Sequence, residues 1–385
     1  MSSPVLTVSD AGTDTAVEPH DVAGPYFEDL EVGMVEDGAP SLTLTEGHAA
    51  LHQAILGSRL RLCLDAQLCN EVTGRDRMLA HPQLVCDVAI GQSTVLTGRV
   101  IANLFYRGLA FRRAPLIGDT LHTTTEVVAL RQTTPRPGRA ATGLAALRIR
   151  TVDQEGRQVL DFWRCAMLPL RDPEGRTGHA DDLEKIAPVL DAPTLAAPTR
   201  GWRLDRFRAA ARTSRLERGS RLRVGERWRV EHGEVVSCGP ELARLSLNVA
   251  AAHHDRYSNR GGQRLLYGGH TIGIAAAQAT RALPDLVTIV AWHGCDHTAP
   301  VYEGDTLTST LELERIEPLP LSEGGVLAHL RSRVTARRDE DGSQLAGGGE
   351  GRASGEAAGG GQASGIEHQV LDWRFVAVLP SSAYG

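Results

Sequence analysis

The chain has 385 residues, 42% of them hydrophobic, and carries 41 lysines and arginines against 47 acidic residues for a net charge of −6. That length fits two domains or one duplicated unit, and the composition fits a packed core. The acidic balance argues against a general nucleic-acid binder.

Residues 1–23 are polar, with no basic flank ahead of an apolar stretch, and read as a loose tail without a signal peptide. A helix is predicted from its N-cap Thr45 to Leu56, with Gly57 as the stop. Strand-like stretches follow at Val85–Ile90, Thr120–Leu130, Leu144–Val152 and Val159–Met167. Residues 171–223 read as a basic linker, with a short charged helix at Leu204–Glu217. Beyond it come a helix from about Pro240 to Leu247 and a long apolar helix after Gly273. Strands follow at Leu286–Trp292, Thr306–Glu314, Val326–Thr335 and Gln369–Val378. Residues 341–366 are a Gly/Ala/Ser-rich insert between two strands, and GGGEG has no phosphate-loop context. No apolar run is long enough to span a membrane. Six scattered cysteines suit reduced thiols, so a cytoplasmic location is expected.

An internal echo organises these elements. Ala114-Pro115-Leu116-Ile117-Gly118-Asp119-Thr120-Leu121 returns as Ala299-Pro300-Val301-Tyr302-Glu303-Gly304-Asp305-Thr306-Leu307, each time feeding an alternating strand rich in Thr, Val and Leu. A long helix wrapped by an antiparallel sheet, occurring twice, is an α+β tandem (double) hotdog, with halves at 24–170 and 224–385.

Chemistry concentrates in the second half. Asn248 and His253 are followed by Asp255, and Arg264 precedes Tyr267-Gly268-Gly269-His270, which enters the long helix. A hydro-lyase needs a group that moves a proton and a donor for the carbonyl oxygen as enolate character develops. A histidine at a helical turn supplies the first, and backbone N–H groups of a Gly-rich helix start supply the second. Glycines at 268 and 269 are expected to let a ligand carbonyl approach the backbone. His293, Cys295 and His297 lie on one strand without a complementary cluster, so no metal is expected. Cys63, near Arg59 and Arg61, reads either as a nucleophile or as a buried small thiol.

From about residue 24 to 380 the chain resembles the mesaconyl-CoA (2-methylfumaryl-CoA) hydratase branch of the MaoC-like dehydratases. The phrases that carry the likeness are Phe27 to Gly33, Thr45 to Leu51, Gly57-Ser58-Arg59, Ile101 to Leu104, Pro115 to Leu121, Asn248 to His253, Leu265 to His270 and His297 to Pro300. The resemblance implies a hydro-lyase acting on a 2-enoyl/3-hydroxyacyl thioester, with a branched or dicarboxylic acyl group and no cofactor beyond the CoA or carrier arm of its substrate. It implies His253, Asn248 and Gly268 as catalytic, with Tyr267, Gly269, His270, Asp255 and Arg264 binding substrate. Asn248 stands where the wider class has Asp and Tyr267 where it has His; an amide orients water but is no base. In the first half Ser58 and Cys63 take the equivalent positions, so that half is expected to have lost its chemistry and to shape the acyl pocket. The rival readings are a tailoring enzyme on a carrier-protein-bound intermediate, suggested by the arginine-rich linker and by His48, His52 and Cys63, and a non-catalytic thioester binder. Neither a nucleic-acid nor a membrane partner is expected, and homodimerisation is compatible with the fold.

Overall fold

The computed structural model describes residues 22–135, 140–184, 186–187, 189–211, 222–258, 262–320, 324–339 and 365–381. The first half contains β1 (Val35–Glu36), β2 (Leu42–Thr43), α1 (Glu46–Leu56), α2 (Ala66–Thr73) and α3 (Pro82–Gln92). Four long strands follow: β3 (Ala102–Phe111), β4 (Thr120–Gln132), β5 (Thr142–Val152) and β6 (Gln158–Pro169). After α4 (Ala192–Ala196) and α5 (Leu204–Ala211), the plan repeats with β7 (Arg227–Arg229), β8 (Glu234–Val235), α6 (Gly239–Leu245) and α7 (Gly268–Ala282). The second set of long strands is β9 (Thr288–His297), β10 (Thr306–Pro318), β11 (Gly325–Asp339) and β12 (Gly365–Pro380).

The strands form one antiparallel sheet in the order β1-β4-β5-β6-β3-β9-β12-β11-β10-β7, with β2 beside β4 and β8 beside β10. Each half therefore contributes the same four-strand order, mirrored across the β3–β9 seam, where Phe105 faces Asp296 and Ala110 faces Ala291. The repeated turn has one construction in both halves. Asp119 Oδ2 accepts from the Leu116 N–H at 3.0 Å and Asp305 Oδ2 from the Tyr302 N–H at 2.9 Å, while Gly118 and Gly304 take φ of 97° and 90°. Those angles are open to glycine at little cost.

The two long helices, α3 and α7, pack together within the sheet's curve. Every residue of α3 is buried, which explains why Val85–Ile90, expected as a strand, is helical instead. A helix buried all round shows no clear 3.6-residue period, so the apolar run Val85–Ile90, broken only by Asp87, reads like a buried strand. Pro82 at the first helical position after the N-cap His81 is the overlooked start signal. The helix expected after Gly273 begins earlier, at Gly268. α1 agrees with its sequence signals at both ends: Thr45 accepts from the His48 N–H, and Gly57 closes it at φ 67°.

The segment expected as a linker is partly built into the fold. Leu195, Trp202, Leu204 and Phe207 are buried with Leu68 and Val72 of α2 and with Val376 and Val378 of β12. The arginines of 212–221 and most of the Gly-rich insert, 340–364, lie outside the described residues, as do 1–21 of the tail. Among the described residues no helix is long and apolar enough to cross a membrane.

Candidate active site

The site grows from the loop after α6. Leu247 adopts φ 60°, a left-handed conformation costly for a branched side chain, and turns the chain so that Asn248 is buried. The Asn248 side-chain oxygen accepts the Ala250 N–H at 2.9 Å, and its backbone carbonyl accepts from His254 Nε2 at 2.6 Å. With its oxygen committed to the turn, the Asn248 amide has its N–H donors to offer a water or ligand.

A 3₁₀ turn, Ala251–His253, then presents His253 at 9% exposure. Its Nδ1 lies 2.9 Å from the Leu265 carbonyl oxygen. A carbonyl only accepts, so Nδ1 carries the proton and Nε2 of the neutral ring is a free base. Burial is the largest influence on this imidazole and lowers its pKa to about 4; the Leu265 bond opposes the shift, while the charges of His254 and Arg164 add to it. The ring stands 5.6 Å, centroid to centroid, from Tyr267, the buried N-cap of α7. Gly268 and Gly269 open α7, where N–H groups lack intrahelical partners and the helix dipole favours negative charge.

His297, at the end of β9, completes the group. Its ring lies 6.0 Å from Tyr106, and its Nε2 is buried without a hydrogen-bond partner. Burial, with His253 nearby, lowers its pKa to about 4. A Cβ on Gly268 would lie 2.8 Å from that Nε2, and one on Gly269 would lie 2.1 Å from Asp87 Oδ1. The two glycines thus make room for protein side chains, where the sequence suggested room for a ligand. His293 and His297 belong to separate clusters, since His293 Nε2 meets His329 Nδ1 at 2.8 Å.

Three other sequence candidates sit differently from expectation. Asp255 is exposed and accepts the Tyr257 N–H at 2.8 Å, so it shapes the next turn and does not reach the cluster. Arg264 is ion-paired with Glu303, which also accepts the Gly239 N–H at 2.9 Å. His270 is buried with neither ring nitrogen partnered, and the charges that act on it are those of Glu303 and His52 rather than His253.

A cavity of about 1180 Å³ opens next to the turn that carries His253, although Asn248, His253, Tyr267 and Gly268 are not themselves on its lining. Ala251, Ala252 and Leu265, the residues next to or bonded to His253, form one wall, and Arg99, Arg131 and Thr133 of the first half stand on its lining. Its size is ample for a ligand with a long arm.

The first half holds a second buried polar cluster that sequence reading missed. The Gln83 N–H donates to His81 Nδ1 at 3.1 Å, so His81 Nε2 carries the proton and donates to Ser58 Oγ at 2.8 Å. That tautomer cannot activate Ser58 as a nucleophile. His52 Nε2 lies 3.2 Å from Asp87 Oδ2, and Gln83 Nε2 donates to Asp87 Oδ1 at 2.9 Å and to the Gly269 carbonyl at 3.3 Å. Burial pushes the Asp87 carboxyl up to about 8 and lowers His52 to about 3, both shifts favouring the neutral forms. The network ties α1 and α3 to the first turn of α7. Desolvation, then Cys69, push the Cys63 thiol above its ordinary value, which removes it as a nucleophile.

Comparison with known proteins finds similarity to two enzymes named for CoA thioesters. No protein-family model matches it. It is 29% identical to the beta-methylmalyl-CoA dehydratase of Chloroflexus aurantiacus over 331 residues, 82% of this chain and 89% of that one. It is 26% identical to the mesaconyl-CoA hydratase of Cereibacter sphaeroides over 337 residues, 84% of this chain and 95% of that one. Among solved structures, RV0216 of Mycobacterium tuberculosis, described as a double hotdog, is 48% identical with a TM-score of 0.76, covering 93% of this chain and 98% of its own. A putative MaoC domain dehydratase from Chloroflexus aurantiacus is 25% identical with a TM-score of 0.74, covering 96% and 99%.

Proposed function

We infer that this chain, which belongs to the MaoC-like double-hotdog family, is a hydro-lyase that adds or removes water at a 2-enoyl/3-hydroxyacyl-CoA thioester of the mesaconyl-CoA type. The observation that carries the reading for the site is the orientation of His253. Its Nδ1–H is fixed on the Leu265 carbonyl, its Nε2 is a free base, and it stands beside the cavity and the start of α7.

In the hydration direction, a water held by the Asn248 amide gives a proton to His253 Nε2 as its oxygen bonds to C3. The electrons of the C2–C3 double bond move toward the thioester, and the oxygen that gains charge is met by the Gly268 N–H and the dipole of α7. The imidazolium then returns its proton to C2, so water is added and His253 is restored. Tyr267 and His297 pack around the base and the helix start. The steps use proton transfer alone and need no metal or redox group; CoA enters as part of the substrate. The six free cysteines suit a reducing cytoplasm. One chain supplies both hotdogs, so the pair is complete without a second copy.

Hydration of mesaconyl-CoA by the wild type and by His253→Ala tests the assignment. The variant is expected to lose a factor of about 10²–10⁴ in kcat, the range for a lost general base. Turnover that survives the substitution overturns the role given to His253.

A further inference from the structure

The buried acidic groups of this chain have basic neighbours. Asp119 pairs with Arg77, Asp153 with Arg113 and Arg157, Asp161 with Arg148 and Asp305 with Arg338, while Asp87 faces His52. Arg164 on β6 is the exception on the basic side: it is 2% exposed and makes no ion pair among the described residues. Its Nη2 donates to the Ser93 carbonyl at 3.1 Å and to Thr97 Oγ1 at 2.7 Å, and its Nε is buried with no partner. A guanidinium removed from water without an anion is costly, and an anion brought beside it offsets that cost.

Its position connects it to the site. Arg164 is in register with Tyr106 of β3, whose ring meets His297, and the His297 imidazole covers Gly268. The turn that anchors the guanidinium, Ser93–Thr97, continues into Gly98, Arg99, Val100 and Ile101, which line the cavity. The Gly98 carbonyl accepts the Ala251 N–H at 3.0 Å, two residues before His253. Arg164 is also close enough for its charge to act on His253, Tyr106 and Tyr267. A guanidinium offers N–H groups in a fork that matches a carboxylate.

We propose that Arg164 receives the second carboxylate of a dicarboxylic acyl thioester, so that the site selects acyl-CoA substrates with an anionic acyl end over uncharged ones of the same length. The assignment rests on the thioester reading of the site, with the thioester carbonyl at the start of α7, and it names the side chain that sets acyl preference. It also supplies a purpose for a charge that the proton transfers at His253 do not use. Neutralising the acyl carboxylate lets enolate charge develop on the same acyl group without repulsion between two anions.

Binding of succinyl-CoA and butyryl-CoA, a saturated pair differing in the terminal carboxylate, reads this without turnover. Titration calorimetry on the full chain is expected to show succinyl-CoA bound more tightly by the wild type, by a factor on the order of 10². Arg164→Gln abolishes that preference, and Arg164→Lys keeps part of it as a point charge. Equal binding of the two thioesters by the wild type, or an equal loss for both in Arg164→Gln, overturns the proposal. If Arg164→Gln fails to fold, Thr97→Val decides: loosening one anchor weakens succinyl-CoA selectively, and equal weakening of both ligands again overturns it. A wild type that prefers succinyl-CoA but turns over no enoyl-CoA leaves the carboxylate site standing and removes the hydro-lyase reading.

Discussion

Lowering the pH separates the chemistry of His253 from the stability of the fold around it. Burial holds this imidazole at about 4 in the folded chain, against about 6.5 for an unperturbed histidine, a difference worth about 3 kcal/mol between its protonation states. In the folded chain this imidazole therefore stays neutral through pH 5, the form its proposed role as base requires. The unfolded chain takes up the proton first, near pH 6.5, so folding stability falls as pH drops below that value and the full penalty is reached below the folded pKa. His297 and His270 are depressed to about 4 and His52 to about 3, each with burial as the leading cause. At one pH unit below 6.5 each such group removes about 1.4 kcal/mol, so four together remove on the order of 5 kcal/mol. That is comparable with the whole stability of many domains, about 5–15 kcal/mol. We expect kcat/KM per folded molecule to be flat from pH 8 to about 5.5, while Tm falls steeply below pH 6.5. Rates measured alongside far-ultraviolet circular dichroism melts test both halves of the statement. An acid limb near pH 6.5 in a chain that dichroism shows to be folded would refute the buried-base argument.

Two substitutions probe the surroundings of the base. Asp87 keeps its proton to about pH 8 when folded but loses it near 4 when unfolded, so the folded state is penalised increasingly as pH rises between those values. Asp87→Asn removes the ionisation and is expected to raise Tm by at least several degrees at pH 8 and by little at pH 4; the same small change at both would remove the argument. Gly268→Ala places a methyl 2.8 Å from His297 Nε2, with an expected cost of about 1–3 kcal/mol and a reduced kcat. The double variant with His297→Ala is expected to recover most of the lost stability in denaturant melts, and no recovery would show that the close contact is not the cause.

The duplication was legible because its turn is built from short-range rules. Gly118 and Gly304 need positive φ, Asp119 and Asp305 close their turns, and the Thr-rich strands follow directly. The α1 boundaries were legible for the same local reason. α3 was not, since complete burial erased the period that marks a helix. The neighbours of His253 divide in the same way. Asn248, Tyr267 and Gly268 are close to it in sequence and were within reach of motif reasoning. Arg164, whose charge acts on His253, comes from the other half, as do Tyr106, which meets His297, and Asp87, which meets Tyr267; only the β3–β9 seam and the α3–α7 packing bring them there. The sequence signal for the second cluster was His81-Pro82, the N-cap and first residue of α3, as Tyr267-Gly268 are of α7.

That comparison also supports assigning the proposed chemistry to the second half alone. The first helical residue of α7 is Gly268, with an N–H available for a carbonyl oxygen; in α3 it is Pro82, which has none. The residue before each differs as well, because His81 has its Nδ1 occupied by the Gln83 N–H and its Nε2 proton spent on Ser58. Cys63, with its thiol pushed up, stands where His253 offers a base. On the roles proposed for His253, Gly268 and Asn248, base, oxyanion donor and orienting group are each missing separately from the first half, so no single substitution there is expected to restore a second site. What the first half keeps is complementary: Arg99, Arg131 and Thr133 on the cavity lining, and the buried pair Arg164 and Tyr106 on neighbouring strands. Fusing the hotdogs in one chain allows this division, since an identical pair would place proline or glycine, cysteine or histidine, in both halves alike. On the proposed assignments, the duplicated fold assembles one site, with proton transfer on one side of the seam and acyl selection on the other.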